Sequence, residues 1–494
     1  MIRNLALVLV LCIWSLLCPA SSRADVFLDW NMTLHDVIQE DGILNSPPLA
    51  NPGWSSRAMA MANGAMYDAF QAVERTHQPL LVNMSAPGAS KTAAAAQAAY
   101  DITLSNYPLR QSTLDAALAA SLAMVPDDQS KVDGIALGQA IAQDYIAART
   151  DDGADAMVLW PEGTLPGEWR SDPFHAPQPA WGPAWGSVQP FVLTSGSQFS
   201  VPGPPALDSP EYTAAFNQAK EWGALDSASR AANPDTTEIA LFWAYDNSRK
   251  GAPPVLYLKN LVEIAAAAGT SPEENARLFA LTTVSMADAM ISSWDVKFAD
   301  NFWRPITAIR ADAGNDDDNP NTIEDPNWVY LGAPGANPLL TTDDFTPPFP
   351  AYTSGHSTMA GAVFKAIELF FGTNDFQTAD MNFGTDTVTA EYELSSKEYA
   401  PDGSQGMVRN FTSFTQEGPI DLLMENSPEG EVATSRIYLG IHWIFDQVDG
   451  TYLGNDVAGY VFANRFQLIP EPSAIALGLL AAIGGGLFAR RRVS

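Results

Sequence analysis

The sequence predicts an all-α protein made of two packed helical bundles joined by long irregular loops, and three observations lead there. Residues 54–74 place Met59, Ala62, Ala65, Met66, Ala69 and Phe70 at three- and four-residue steps with few breakers between them. Residues 272–294 carry a second long helical pattern, and the period-two alternation of half-buried strands is scarce throughout. At 494 residues the chain is too long for one ordinary core, and 46% hydrophobic residues with 13 Trp exclude a disordered chain.

Further helical runs are expected at 91–105, 112–124 and 130–148, so residues 25–209 read as an N-terminal bundle. It ends in a stretch rich in Pro, Gly and Trp, residues 159–210, that keeps no sustained period and suits a long connection or lid. A second unit, residues 210–468, is expected to hold helices at 210–223, 236–245, 256–268, 272–294, 432–439 and 455–465. Another begins at His356, with Met359, Ala360, Val363, Phe364, Ile367 and Phe371 along one face. The acidic run Asp316, Asp317 and Asp318, followed by Pro320 and Pro326, reads as a solvated loop, because its spacing matches no EF-hand.

Against 26 Lys plus Arg stand 57 Asp plus Glu, a formal charge of −31, which repels nucleic acid and anionic membrane surfaces. Residues 1–24 begin with Arg3, run through apolar residues from Leu5 to Leu17 and end Ser22-Arg23-Ala24, the pattern of a secretory signal peptide. Both cysteines, Cys12 and Cys18, lie inside it, so the processed chain is expected to have neither disulfides nor Cys-ligated metals. Near the other end, Pro470-Glu471-Pro472-Ser473 precedes an apolar run, residues 474–489, and then Arg490, Arg491 and Arg492. Such a run spans roughly 24 Å as a helix, marginal for a hydrocarbon core of about 30 Å. Residues 469–494 resemble the PEP-CTERM sorting signal of Gram-negative bacteria. That resemblance implies a transient membrane anchor, a sortase-like processing protease and export to the cell surface or beyond; a permanent tail anchor is the alternative reading.

Three segments pair cations or imidazoles with backbone suited to an oxyanion. In the first, Lys297 and Arg304 are seven apart, nearly two helical turns, but Pro305 disfavours helix at Arg304, so a turn is expected there. In the second, Ser354-Gly355-His356 runs directly into a helix whose first N–H groups favour negative charge, with a hydroxyl from Ser354 and close backbone approach at Gly355. In the third, a continuous helix would set Arg436 and His442 roughly 240° apart, and Gly440 offers the break that swings His442 back toward Arg436. Singly these read equally as solvated charges, a plain helix cap and a core histidine. Together they hold two of only five histidines.

In this order the segments resemble the vanadium haloperoxidase branch of the type 2 phosphatidic acid phosphatase superfamily, over roughly residues 272–465 and weakly around 65–74. The resemblance implies a vanadium chloroperoxidase-like fold and a vanadate cofactor. Lys297, Arg304, Ser354, Gly355 and Arg436 would hold the vanadate oxygens, His442 would bond vanadium through a ring nitrogen, and His356 would serve as the acid–base group. It also implies that Lys297 polarises bound hydrogen peroxide, that halide is oxidised to hypohalous acid and that a small organic acceptor is then halogenated. The residue types suit the task, since two guanidinium forks and an ammonium offset the cost of desolvating an anion. Trp294 and Phe349 match positions that flank the halide pocket in chloroperoxidase-type members, or else are plain core. Thr353 stands where the family often has Pro, which puts the rigidity of that loop in question. Asp246 reads either as a carboxylate that orients an arginine or as an exposed helix-end residue.

Two other functional readings stay open. An acid phosphatase would use the same oxyanion site with His442 as nucleophile. A surface-displayed binding protein with a decayed site fits the sorting tail, although every motif position holds a chemically competent residue.

Overall fold

The computed structural model describes residues 25–44, 51–174, 179–245, 252–311, 317–333, 346–376, 392–399, 406–423 and 427–470. The signal peptide, the apolar run and arginines of the sorting tail, Asp246 and Asp316 lie outside the described residues. Among the described residues no helix is long and apolar enough to cross a membrane.

The chain is mainly helical. In order come α1 (Val26–Leu44), α2 (Pro52–Glu74), α3 (Lys91–Asn106), α4 (Gln111–Ala123), α5 (Gln129–Ala148), α6 (Pro210–Trp222), α7 (Ala228–Ala232), α8 (Asp235–Phe242), α9 (Pro253–Ala268), α10 (Pro272–Asp300) and α11 (Pro305–Ile309). After them follow α12 (Gly355–Phe371), the strands β1 (Tyr392–Tyr399) and β2 (Gly406–Phe411), α13 (Pro428–Tyr438) and α14 (Ile444–Asn464). The long helices are punctuated by their own sequences. Asn51 accepts a hydrogen bond from the Trp54 N–H and Pro52 opens α2, while Ser271 and Glu274 form a reciprocal capping box at α10. Asn301, left-handed at φ 51°, stops α10.

The major helices stack in the order α5, α3, α2, α10, and then α12 with α14, so α2 and α10 form the central pair where the two helical groups meet. Small residues permit the close approaches. A Cβ on Gly138 of α5 would lie 2.4 Å from the Ala94 carbonyl oxygen of α3, and one on Gly454 of α14 would lie 2.1 Å from that of Thr358 in α12. All-α packing therefore matches the sequence expectation, and the irregular connection lies against α10 through its two short turns, Trp185–Ser187 and Gly196–Gln198.

Three elements differ from that expectation. Helix α1 has polar residues in the core, with Asn31 hydrogen-bonded to Asn63 at 2.9 Å, and these break the apolar period. Helix α14 starts at Ile444, well before the expected residue 455, because its first half packs through Gly450, Thr451 and Gly454 rather than large apolar groups. The antiparallel pair β1–β2 was not anticipated; its registered segment is short, and Leu394 and Phe411 in it are buried.

Asp68 on α2 and Asp288 on α10 occupy matching places in their helices and do matching work. Asp68 accepts the N–H groups of Leu80, Leu81 and Val82 at 2.7–2.9 Å and the Tyr145 hydroxyl at 2.8 Å. Asp288 accepts those of Phe191, Val192 and Leu193 at 2.7–3.0 Å. Each carboxyl folds an incoming chain segment onto its helix, and burial pushes both upward, Asp68 to about 6. Asp68→Ala leaves three N–H groups, that of buried Val82 among them, and the buried Tyr145 hydroxyl without their acceptor and is expected to cost about 2–4 kcal/mol. Urea denaturation checks this, and a change under about 0.5 kcal/mol would show that the contacts are dispensable.

Candidate active site

The three motif segments meet at one buried place between α10, α12, α13 and α14. Lys297 lies in the last turn of α10, and its Nζ donates to the carbonyl oxygens of Pro350 and Ala351, both at 2.9 Å. After Asn301 the chain turns, as Pro305 requires, and Arg304 is extended at φ −85° and ψ 156°. Its Nε donates to the Phe349 carbonyl at 3.0 Å, and its Nη1 reaches both the Ile441 carbonyl and His442 Nε2 at 2.9 Å. The cations thus tie the motif segments to one another. Backbone bonds reinforce the tie: the Ala351 N–H donates to Phe302, and the Ser354 N–H to Asp446, each at 2.9 Å.

Ser354 caps α12 as expected, accepting the Ser357 N–H at 3.4 Å. Gly355 follows as the first residue of the helix. A Cβ there would lie 2.7 Å from Trp294 Cζ3 and 3.8 Å from Lys297 Cε, so only glycine lets the indole pack directly onto the helix start beside the lysine. Arg436, in the last turn of α13, sends Nη1 to the Ala244 carbonyl at 3.5 Å. The break predicted at Gly440 is present at φ 73°. A Cβ there would meet the Gly223 carbonyl oxygen at 2.8 Å, so both conformation and space demand glycine.

Lys297, Arg304, Arg436, Ser354, His356 and His442 are all buried, and the structure brings every predicted oxyanion and acid–base residue into this one region. The electrostatics follow from that burial. Desolvation and the neighbouring Arg304 hold Lys297 well below the usual lysine range, opposed by Asp446. His442 is likewise held well below the imidazole range, by burial first and then by Arg304, Lys297 and Arg436. His356 is lowered by burial and by Arg436. Both imidazoles are therefore neutral near pH 7, and each has one nitrogen directed by a specific partner. His442 Nδ1 lies 2.8 Å from Asp446 Oδ2 and His356 Nε2 lies 3.1 Å from the Ala244 carbonyl. With those nitrogens donating, His442 Nε2 and His356 Nδ1 carry the lone pairs.

Asp446 is the residue that sequence reasoning missed. It sits four residues after His442, one helical turn on, and that spacing was a legible signal. Its Oδ2 also accepts the Trp443 N–H at 3.1 Å, while burial pushes the carboxyl up to about 7 against the pull of that bond, Lys297 and Arg304. The Ala244 carbonyl, which serves both His356 and Arg436, carries no sequence signal.

This donor set fits a tetrahedral oxyanion. Three cationic side chains, a helix start at Gly355 and an imidazole lone pair converge, and among the described residues no three His, Cys, Asp or Glu side chains gather as a bare-cation site. Trp294 and Phe349 form one wall, with ring centroids 4.9 Å apart and Lys297 Nζ 5.3 and 5.2 Å from them.

Comparison with known proteins agrees with this geometry. Residues 277–470 match the family model of the VCPO second helical-bundle domain. Vanadium chloroperoxidase of Curvularia inaequalis is 34% identical over 298 residues, covering 53% of this chain and 46% of that enzyme, so the chain spans about half the length of the curated relative it matches. A bacterial vanadium-dependent iodoperoxidase structure superposes with a TM-score of 0.66 at 22% identity, over 90% of this chain and 96% of that one. A holo-type bacterial vanadium-dependent chloroperoxidase gives 0.59 at 15%, over 86% and 95%. The molecule is thus a helical-bundle protein with the fold of the vanadium haloperoxidases. More narrowly, residues 277–470 match the VCPO second helical-bundle domain, and the 34% identity to vanadium chloroperoxidase extends over 53% of the chain.

Asp446→Asn removes the charge that orients His442 and is expected to weaken orthovanadate binding about 10- to 100-fold. Equilibrium dialysis measures this, and unchanged affinity would separate Asp446 from the site.

Proposed function

We propose that this chain is an exported vanadium-dependent haloperoxidase that uses hydrogen peroxide to oxidise halide to hypohalous acid, which then halogenates small organic acceptors. The observation that carries the reading is the aromatic wall of Trp294 and Phe349 on the Lys297 side of the cradle that Lys297, Arg304 and Arg436 form around His442, whose Nε2 is left as the lone-pair nitrogen by the bond from Nδ1 to Asp446. Bound vanadate would supply a Lewis-acidic centre that activates peroxide without a change in its own oxidation state.

The chain's own groups divide the work. Lys297, Arg304 and Arg436 neutralise the oxyanion, and the Ser354 hydroxyl and first-turn N–H groups of α12 complete the cradle at Gly355. His442 Nε2 is the nitrogen ligand. His356, neutral and anchored through Nε2 to Ala244, offers Nδ1 to take a proton from incoming peroxide and return it later. Lys297, held among carbonyls next to Trp294 and Phe349, places positive charge where peroxide and halide meet. The aromatic wall favours a chloroperoxidase-type pocket.

Residues 1–24 and 469–494 support export with signal-peptide removal and processing of a transient C-terminal anchor at a Gram-negative cell surface.

A second reading, acid phosphatase, is favoured by the His442–Asp446 pair itself, which would equally prepare Nε2 as a nucleophile toward a phosphoryl group. One set of assays separates them. Bromination of a phenol-type dye is expected only with peroxide, bromide and vanadate present, and His442→Ala is expected to lower it at least about 100-fold. Vanadate-independent hydrolysis of a phosphate monoester without dye bromination would reverse the assignment. Rates with chloride, bromide and iodide side by side test the pocket type, and turnover of iodide alone would overturn it.

A further inference from the structure

We infer that Trp181, delivered by the irregular connection, is a third wall of the halide pocket and a specificity-determining residue, an inference that rests on the haloperoxidase reading above. Its ring stands nearly perpendicular to that of Trp294, with centroids 5.3 Å apart and planes at 80°, and lies 6.3 Å from Phe349 at 64°. Trp181, Trp294 and Phe349 therefore form a closed trio of mutual contacts, two of which also flank the Lys297 ammonium. The connection is irregular, but Trp181 is held from several sides. Its backbone N–H donates to the Pro348 carbonyl at 2.9 Å, one residue before Phe349, so the two walls are tied together. Behind it stands buried Trp185 at 5.7 Å, which in turn packs on Trp54 of α2 at 5.8 Å.

The next residue gives the second, independent sign that this placement is built. Gly182 has φ 76°, and a Cβ on it would lie 2.6 Å from Trp294 Nε1. Only glycine lets the connection press this close to the indole edge, and the Trp294 N–H has no hydrogen-bond partner among the described residues. Trp294 is 1% exposed, whereas Trp181, like Phe349, is only partly buried, so Trp181 lies on the outer side of Trp294.

The ligand class follows from the surroundings. A monovalent halide entering beside Lys297 must shed water, and an aromatic enclosure keeps water from returning and leaves the ammonium's field less screened. The halide that is harder to oxidise depends most on that field. Bromide oxidation should therefore suffer more than iodide oxidation when the enclosure is opened.

Trp181→Ala is expected to lower kcat/KM for bromide about tenfold while changing that for iodide less than about threefold, with Trp181→Phe close to wild type. An equal change for both halides would overturn the proposal. A readout independent of turnover is the anomalous signal from wild-type crystals soaked in bromide, expected against the trio on its Lys297 side and lost in Trp181→Ala. A bromide peak elsewhere in the site, or one unmoved by the substitution, would also overturn it. Bromide bound against the trio of a wild-type protein that oxidises no halide would defeat the haloperoxidase reading and leave the halide site standing.

Discussion

Removing Lys297, Arg304 and Arg436 from water costs several kcal/mol per ion before compensation, and the local structure is organised around meeting that cost. The compensation comes mainly from carbonyl oxygens. Phe349, Pro350, Ala351, Ile441 and Ala244 all turn their C=O groups inward to these side chains, which is why the segment before α12 is irregular: a regular helix would spend those carbonyls on itself. Burial first, and then the same concentration of positive charge, keeps both imidazoles neutral, so lone pairs are present at His442 and His356. Binding capacity and proton-transfer capacity thus both depend on the site being buried.

Holding carbonyls in place requires a rigid surround, and buried carboxylates provide much of it. Glu431, on the same helix as Arg436, accepts the Trp243 indole N–H at 2.9 Å and pairs with Arg409 of β2, which also binds Asp235 of α8 through two contacts at 2.9 Å. Trp243 immediately precedes Ala244, so this network fixes the carbonyl that His356 and Arg436 share. On the opposite side Asp288 draws residues 191–193 onto α10, in the stretch of connection that also supplies Trp181 and Trp185. Removing one partner from such a buried network leaves an uncompensated charge, so its stabilising effect is shared rather than additive.

How much of this was legible in the sequence depended on whether the signal was local. The α2 and α10 helices, the cap at Ser354, the turn imposed by Pro305 and the break at Gly440 all follow from nearest-neighbour chemistry, and each is present where the residues place it. The contact of Arg304 with His442 was not legible, because the sequence paired His442 with Arg436 by proximity along the chain whereas the fold brings Arg304 to its Nε2. Asp446 was available as a one-turn neighbour of His442 but looked like any helix-start carboxylate. The first half of α14 was hidden for a related reason, since its packing surface is made of Gly and Thr and has almost no apolar period. Trp181 was least legible of all: a tryptophan in an irregular stretch has no periodicity, and only the folded chain shows which rings it meets.

The oxyanion cradle alone does not choose between phosphoryl transfer and halide oxidation, since both need a desolvated anion, a neutral imidazole and surrounding cations. What differs is the second reactant. A phosphatase must admit water beside the anion and a bulky ester leaving group, whereas halide oxidation needs water held back and a small polarisable ion brought near an ammonium. Trp294 and Phe349 line the Lys297 side of the cradle with rings, and Trp181 closes on both of them. An apolar enclosure there works against hydrolysis and for halide desolvation, so the proposed peroxidase chemistry depends on the aromatic wall more than on the oxyanion-binding residues.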